Sequence, residues 1–316
     1  AELPFPAHMT QEQTRRVIAS THDALLSADA ETVNNFEFFE MERLTPARAM
    51  SLAERHLVSP EFARDREGRA LLLSKDESVS IMINEEDHIR IQTMLPGMQL
   101  KEALAAANRY DDLFDEKLHY AFDENLGYLT RCPTNLGTGL RASLMLHLPA
   151  LAASGAIAQL AASISRFGLT LRGSYGEGSQ AAGSFFQISN QITLGITESE
   201  AIEKLAGIAM QIISQERSAR EEFHRRSPQF EDKIFRSLGT LCFARMLSAD
   251  ECVSLISDVR LGVTMGIVKE IDLNTINTLM SEVQPATLMT AAGKNLDTQS
   301  RDLLRAQKVR GLLEKK

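Results

Sequence analysis

A change of hydrophobic period constrains this chain more than any other feature. Val79, Ile81 and Ile83 alternate with Ser78, Ser80 and Met82, and soon afterwards Ile89 and Ile91 alternate with His88, Arg90 and Gln92. A period of two sends successive side chains to opposite faces of a strand. The acidic stretch from Asn84 to Asp87 joins the two runs, so the spacing predicts a hairpin whose second strand carries His88, Arg90 and Gln92 on one polar face. Upstream and downstream the period lengthens. Thr10 to Ser27 places Val17, Thr21, Ala24 and Leu25 on one side, with Thr10 and Gln13 spaced as a capping box. Pro46 to His56 and Gln99 to Tyr120 read as further helices.

The short period then returns. From Leu140 to Leu148, Arg141, Ser143, Met145 and His147 face one way and the leucines with Ala142 the other. Ala150 to Phe167 reads as one Ala-rich helix; Gly168 to Gly173 and Ser184 to Leu194 read as strands around a Gly-rich loop. From Glu198 onward the pattern is helical, with a capping-box spacing at Ser248 and Glu251 and a charged amphipathic stretch from Ser300 to Lys316. The expected class is α+β, an antiparallel sheet flanked by helices and followed by an all-α C-terminal domain. The division is expected near Arg226 to Pro228.

Composition narrows the function classes. Lys plus Arg number 34 against 42 Asp plus Glu, a formal charge of −8, which argues against a general nucleic-acid binder. Cys132, Cys242 and Cys252 are too few for a disulfide framework and fit a reducing, cytoplasmic setting. The most apolar stretch, Leu144 to Ile164, is interrupted by His147, Pro149, Ser154, Gly155 and Gln159, so a buried strand and helix are expected there and no membrane span. AELPFPAHMT shows neither a basic nor an apolar signal region, and no secretion signal is expected.

Polar residues gather in three segments. NEEDHIR places Glu85, Glu86 and Asp87 at a hairpin tip, where a solvated turn is the plain reading; Glu86 with His88 makes two metal ligands without a third, and no metal site is assigned. CPTNLGTGLRAS contains the loose dinucleotide pattern G-x-G-x-x-A, but its glycines precede an alternating strand and not a helix. Cys132 lies between Arg131 and Arg141, cations that favour a thiolate, although a lone Cys is commonly a small buried hydrophobe. RGSYGEGS carries Arg172 and Glu177 among three glycines. Arg90, Arg141 and Arg172 each sit on the polar side of an expected strand. Three arginine forks with two carboxylates and a cysteine suit phosphoryl transfer, which needs positioning and charge stabilisation more than covalent chemistry.

These three segments resemble the signatures of the phosphagen (guanidino) kinases. AFDENLGYLTRCPTNLGTGLRASLMLHLPAL, ISNQITLG, QERSARE and SDVRLG resemble the bacterial protein-arginine kinases of the McsB type, and the resemblance covers nearly the whole chain. It implies that Glu86 is the base acting on a guanidinium, that Glu177 binds and orients that group, and that Cys132 is the reactive active-site cysteine. Arg90, Arg141 and Arg172 would hold the nucleotide phosphates. Met145 stands where phosphagen kinases place an adenine-contacting histidine, and Arg131 replaces a small hydroxyl residue. ATP with Mg²⁺ would be the donor and arginine side chains of proteins the acceptors.

The resemblance further implies a catalytic domain over 1–226 and a helical domain over 227–316 for dimerisation and phosphoarginine binding. Arg301, Asp302 and Arg305 match an R-D-x-x-R-A motif that binds phosphoarginine allosterically; from the residues alone they read as charge pairs on a surface helix. Expected partners are proteins with exposed arginines, a Clp unfoldase, a zinc-binding activator and a second copy of the chain, in a cytoplasmic stress response and without nucleic acid or membrane. The family carries an S-x-R-I-R segment upstream of where this sequence begins, so a pair of phosphate-binding arginines is expected to be missing. Two other readings stand beside this one: a kinase for free arginine or another small guanidine, and a non-catalytic phosphoarginine-binding adaptor.

Overall fold

The computed structural model describes residues 3–173 and 182–314. Contacts divide the chain into two compact units, 1–142 with 192–203, and 143–191 with 204–316.

In the first unit, α1 (Gln11–Leu26) begins at Thr10, and the capping box is present: Thr10 Oγ1 accepts from the Gln13 N–H and Gln13 Oε1 from the Thr10 N–H. After α2 (Ala30–Asn34) come β1 (Phe36–Glu40), α3 (Pro46–Glu54), α4 (Pro60–Arg64), β2 (Ala70–Ser74), β3 (Val79–Ile83) and β4 (Ile89–Thr93). The four strands form an antiparallel sheet in the order β1-β2-β3-β4. The expected hairpin is β3–β4, with Ile83 opposite Ile89 and Val79 opposite Thr93.

The Ser80 and Met82 face of β3 is buried, because helices cover both sides of this sheet. Met82 packs with Leu52, Leu57 and Phe62 of the α3–α4 region. Ile81 and Ile83 pack with Val17 and Leu25 of α1 and with Tyr110 and Phe114 of α5 (Leu100–Leu118). Ser80 keeps its hydroxyl satisfied by donating to Leu57 O. A small hairpin follows, β5 (Phe122–Asp123) against β6 (Gly127–Tyr128).

The second unit holds β7 (Ser143–His147), α6 (Pro149–Ala153), α7 (Ile157–Ser165), β8 (Leu169–Gly173) and β9 (Phe185–Asn190), the strands pairing antiparallel as β7-β9-β8. The alternation read along β7 holds: Leu144 and Leu146 are buried and Met145 is 41% exposed. The single helix expected from Ala150 to Phe167 is two helices. Gly155 adopts φ +74° between them, a left-handed value that a continuing helix does not use.

The chain continues through α8 (Glu198–Arg226), α9 (Pro228–Phe243), α10 (Ala249–Thr264), α11 (Leu273–Glu282), α12 (Pro285–Ala292) and α13 (Thr298–Leu313). Ser248 caps α10 by accepting from the Glu251 N–H at 3.3 Å. Ile234, Leu241, Ile256, Val259, Ile276, Leu279 and Val309 form the core of these helices. The architecture is the expected α+β class, antiparallel sheets flanked by helices with a helical C-terminal region.

Candidate active site

The tip of β3–β4 is a built turn. Asn84 adopts φ +63°, a conformation Asn tolerates, and its N–H donates to His88 O at 2.9 Å. The Asn84 amide donates to Thr14 O and Gly68 O, fixing the base of the turn. The three carboxylates then separate by environment. Glu85 has a side chain only 11% exposed and accepts from Ser59 Oγ and from Arg90 at 3.2 Å. Burial opposes its charge, yet the Arg90 guanidinium, the Ser59 hydroxyl and the Glu86 N–H outweigh it and hold the carboxyl below the usual glutamate range. Asp87 Oδ1 accepts from the Arg131 N–H at 2.7 Å. Glu86 stands exposed between them. The plain reading of NEEDHIR as a solvated turn therefore fits Glu86 alone.

That Asp87 bond ties the CPTNLGTG loop to the turn. Cys132 is half-buried, its Sγ 3.0 Å from Thr134 Oγ1. Thr193 Oγ1 lies 2.9 Å from Thr134 O and 2.6 Å from Leu136 O, and the Thr138 N–H donates to Thr193 O. Backbone meets backbone here. A Cβ on Gly137, at φ +100°, would lie 2.3 Å from Thr193 O. Gly137→Ala should therefore destabilise the chain by roughly 2 kcal/mol or more, through both the strained φ and the clash, as read by urea denaturation.

The first unit thus places Glu86 at the hairpin tip, Arg90 on β4 and Cys132 on a loop tied to that tip, with exposed Arg141 at the end of the loop. His88 does not join Glu86 as a free ligand: its Nε2 lies 2.9 Å from Pro4 O and its ring stacks on Phe5. Among the described residues no three His, Cys, Asp or Glu side chains converge as a metal site.

In the second unit, Met145 stands opposite Gln187, and Gln187 opposite Arg172, so one cross-strand row carries both expected nucleotide-holding residues. Glu177 lies outside the described residues. The surface-helix reading of α13 is corrected. Arg305 is 1% exposed; its Nε donates to Val283 O and its Nη1 to Leu247 O and Asp302 Oδ1. Val283 caps the C-terminus of α11, so the buried fork satisfies a helix-end carbonyl. Arg301 is half-buried and donates to Thr298 Oγ1 at 3.2 Å.

Sequence reasoning missed Glu85, Ser59 and Asp87. Glu85 and Asp87 looked equivalent to Glu86 in a run of acids, and Ser59 has no local signal connecting it to a residue on another element.

Two family models match the chain in succession: the ATP:guanido phosphotransferase C-terminal catalytic domain over residues 16–219, and the protein-arginine kinase McsB C-terminal domain over 227–316. A curated relative, the protein-arginine kinase of Caldanaerobacter subterraneus subsp. tengcongensis, is 46% identical over 316 residues, 100% of this chain and 94% of its own. The chain belongs to the McsB-type ATP:guanido phosphotransferases. This phosphotransferase is also 45% identical over 312 residues to the protein-arginine kinase of Pelotomaculum thermopropionicum, covering 98% of the chain and 88% of the relative. Among solved structures it resembles lombricine kinase with a TM-score of 0.60 and 26% identity, covering 69% of this chain and 63% of that one. The duplicated taurocyamine kinase of Schistosoma mansoni, at 22% identity and a TM-score of 0.61 over 74% of this chain and 35% of its own, shares the fold.

Proposed function

We propose that this phosphotransferase moves the γ-phosphoryl group of Mg-ATP to arginine side chains of proteins and so marks them for a Clp protease. The observation that carries the reading is the 46% identity to a protein-arginine kinase along all 316 residues. Magnesium would arrive on the triphosphate, as that ion is usually held.

A guanidinium is a poor nucleophile, since its lone pairs are delocalised and it stays protonated. In this reading Glu86 takes a proton as nitrogen attacks phosphorus, and Glu177 grips the same group. The exposure of Glu86 supports the role, because its neighbours Glu85 and Asp87 are already engaged. Arg90, Arg141 and Arg172 hold the phosphates and stabilise their charge, Met145 lies against the base, and Cys132 stands beside the acceptor.

The catalytic part spans 1–226 and the helical part 227–316. The helical part binds phosphoarginine through Arg301 and Asp302, with Arg305 holding the Asp302 carboxylate in place. It also dimerises: Phe235 and Phe243, eight residues apart on α9, leave an exposed apolar ridge that a second copy would cover. The setting is cytoplasmic, with a Clp unfoldase and a zinc-binding activator as partners. No helix among the described residues is long and apolar enough to cross a membrane.

The test is to offer Mg-ATP with a casein-like protein and, separately, with free arginine. Acid-labile phosphoarginine in the protein is the expected product. A preference for free arginine would reverse the substrate assignment. Phosphoarginine binding with no transfer to either acceptor would mark the chain as an adaptor.

A further inference from the structure

Two sequence motifs have so far no part in the chemistry: QERSARE, from Gln215 to Glu221, and SDVRLG, from Ser257 to Gly262. In the second unit both meet one end of the β7-β9-β8 sheet. The row Met145–Gln187–Arg172 has a neighbour on the same face, where His147 stands opposite Phe185 with ring centroids 4.8 Å apart. Helices hold this neighbouring row from several sides. Ser257 Oγ on α10 and His147 Nε2 share a hydrogen bond of 2.9 Å. Arg260, nearly one turn further along α10, sets its guanidinium 5.3 Å from the centroid of Phe185 and donates to Asn277 Oδ1. Arg220 on α8 donates to His147 O at 2.8 Å and to Glu216 at 2.7 Å.

The packing is tight enough to transmit a displacement. At the turn before β9, Gly183 adopts φ +61°, and an added Cβ would lie 3.0 Å from Val253 Cγ1 and 3.3 Å from Val253 O, so α10 lies directly against that turn. His147 is a neutral ring in this setting: burial and the cations Arg260 and Arg220 push its pKa down to about 2. Its bond to Ser257 is therefore one between neutral groups throughout the working pH range.

We propose that Ser257 and Arg260 are positioning residues for the nucleotide: by fixing the His147–Phe185 row they set the placement of the Met145–Gln187–Arg172 row beside it. Alternate residues on one strand face are separated by about 7 Å, so a shift of one row carries the next with it. Small misplacements of a phosphate-holding fork are expensive in binding and in rate. This inference rests on the reading of Met145 and Arg172 as nucleotide-holding side chains.

Calorimetric titration of the full chain with Mg-ATP tests it, alongside KM values for Mg-ATP and for a casein-like protein. Ser257→Ala should weaken Mg-ATP binding roughly three- to ten-fold, the effect of one hydrogen bond, and leave the KM for protein within about two-fold. Ser257→Thr restores the hydroxyl and should restore the affinity, which a general loosening of the fold would not do. If Ser257→Ala is recovered unfolded, Arg260→Lys keeps the charge and stem but loses the planar stack on Phe185; it should weaken Mg-ATP roughly three-fold. Arg172→Ala separates the two claims. Weakened Mg-ATP binding in Arg172→Ala with unchanged binding in the folded positioning variants would overturn the inference alone. Unchanged binding in Arg172→Ala would overturn the nucleotide reading beneath it.

Discussion

Glu86→Gln should slow phosphoryl transfer to arginine by about 10²–10⁴-fold, the usual worth of a positioned general base. The substitution keeps size and shape and removes the negative charge and with it the ability to take a proton. It falls on an exposed turn position whose backbone is fixed by Asn84 and by the Asp87–Arg131 bond. Stability and Mg-ATP affinity should therefore stay near wild type while the rate collapses. Glu85→Gln is the informative contrast. That side chain holds Arg90 and Ser59, so its loss should act through Arg90 and appear chiefly in the KM for Mg-ATP. Initial rates at saturating protein substrate distinguish the two. A Glu86→Gln enzyme within three-fold of wild type would remove Glu86 from the base role.

Arg220→Met should cost about 3–5 kcal/mol of stability, the larger effect on the fold. Glu216 is 2% exposed and accepts from three donors: Arg220 Nε, the Ala150 N–H and the Leu151 N–H. Removing the guanidinium strands a carboxylate away from water and also frees His147 O from its donor. The double variant Arg220→Met with Glu216→Gln should recover a large part of the loss, since the amide can still accept from the α6 N–H groups without a buried charge. Denaturant titrations of both single variants and the double give the coupling energy. A single variant that loses under 1 kcal/mol would mean that the pair is solvated in solution.

The hairpin was legible because Ile89 and Ile91 alternate with polar residues on a strand whose other face is partly open. Strand β2, Ala-Leu-Leu-Leu-Ser, was not, since helices cover both faces and erase the alternation. The helix break at Gly155 was hidden by flanking alanines that suit either outcome. Glu86, Arg90, Cys132 and Arg141 could be singled out as candidates because glycines and charges crowd their segments. Arg305 misled in the opposite sense. Its spacing from Asp302 and Arg301 is that of a surface helix, and only the carbonyls of Val283 and Leu247, brought from other segments, make a buried arginine tolerable. Pairs such as Ser59 with Glu85, or Ser257 with His147, leave no trace in local sequence, because nothing near either residue encodes its distant partner.

In the proposed reaction the chain's own arginines are competing acceptors, and the fold sorts them by burial. Arg43, Arg226 and Arg236 are solvent-exposed, each paired with a carboxylate on its own segment. Arg305, with its Nε and Nη1 committed to protein oxygens and almost no surface in water, is withheld from that chemistry while the helices around it stay folded. The residue proposed to hold Asp302 in the product-reading motif is thereby shielded from becoming phosphoarginine itself.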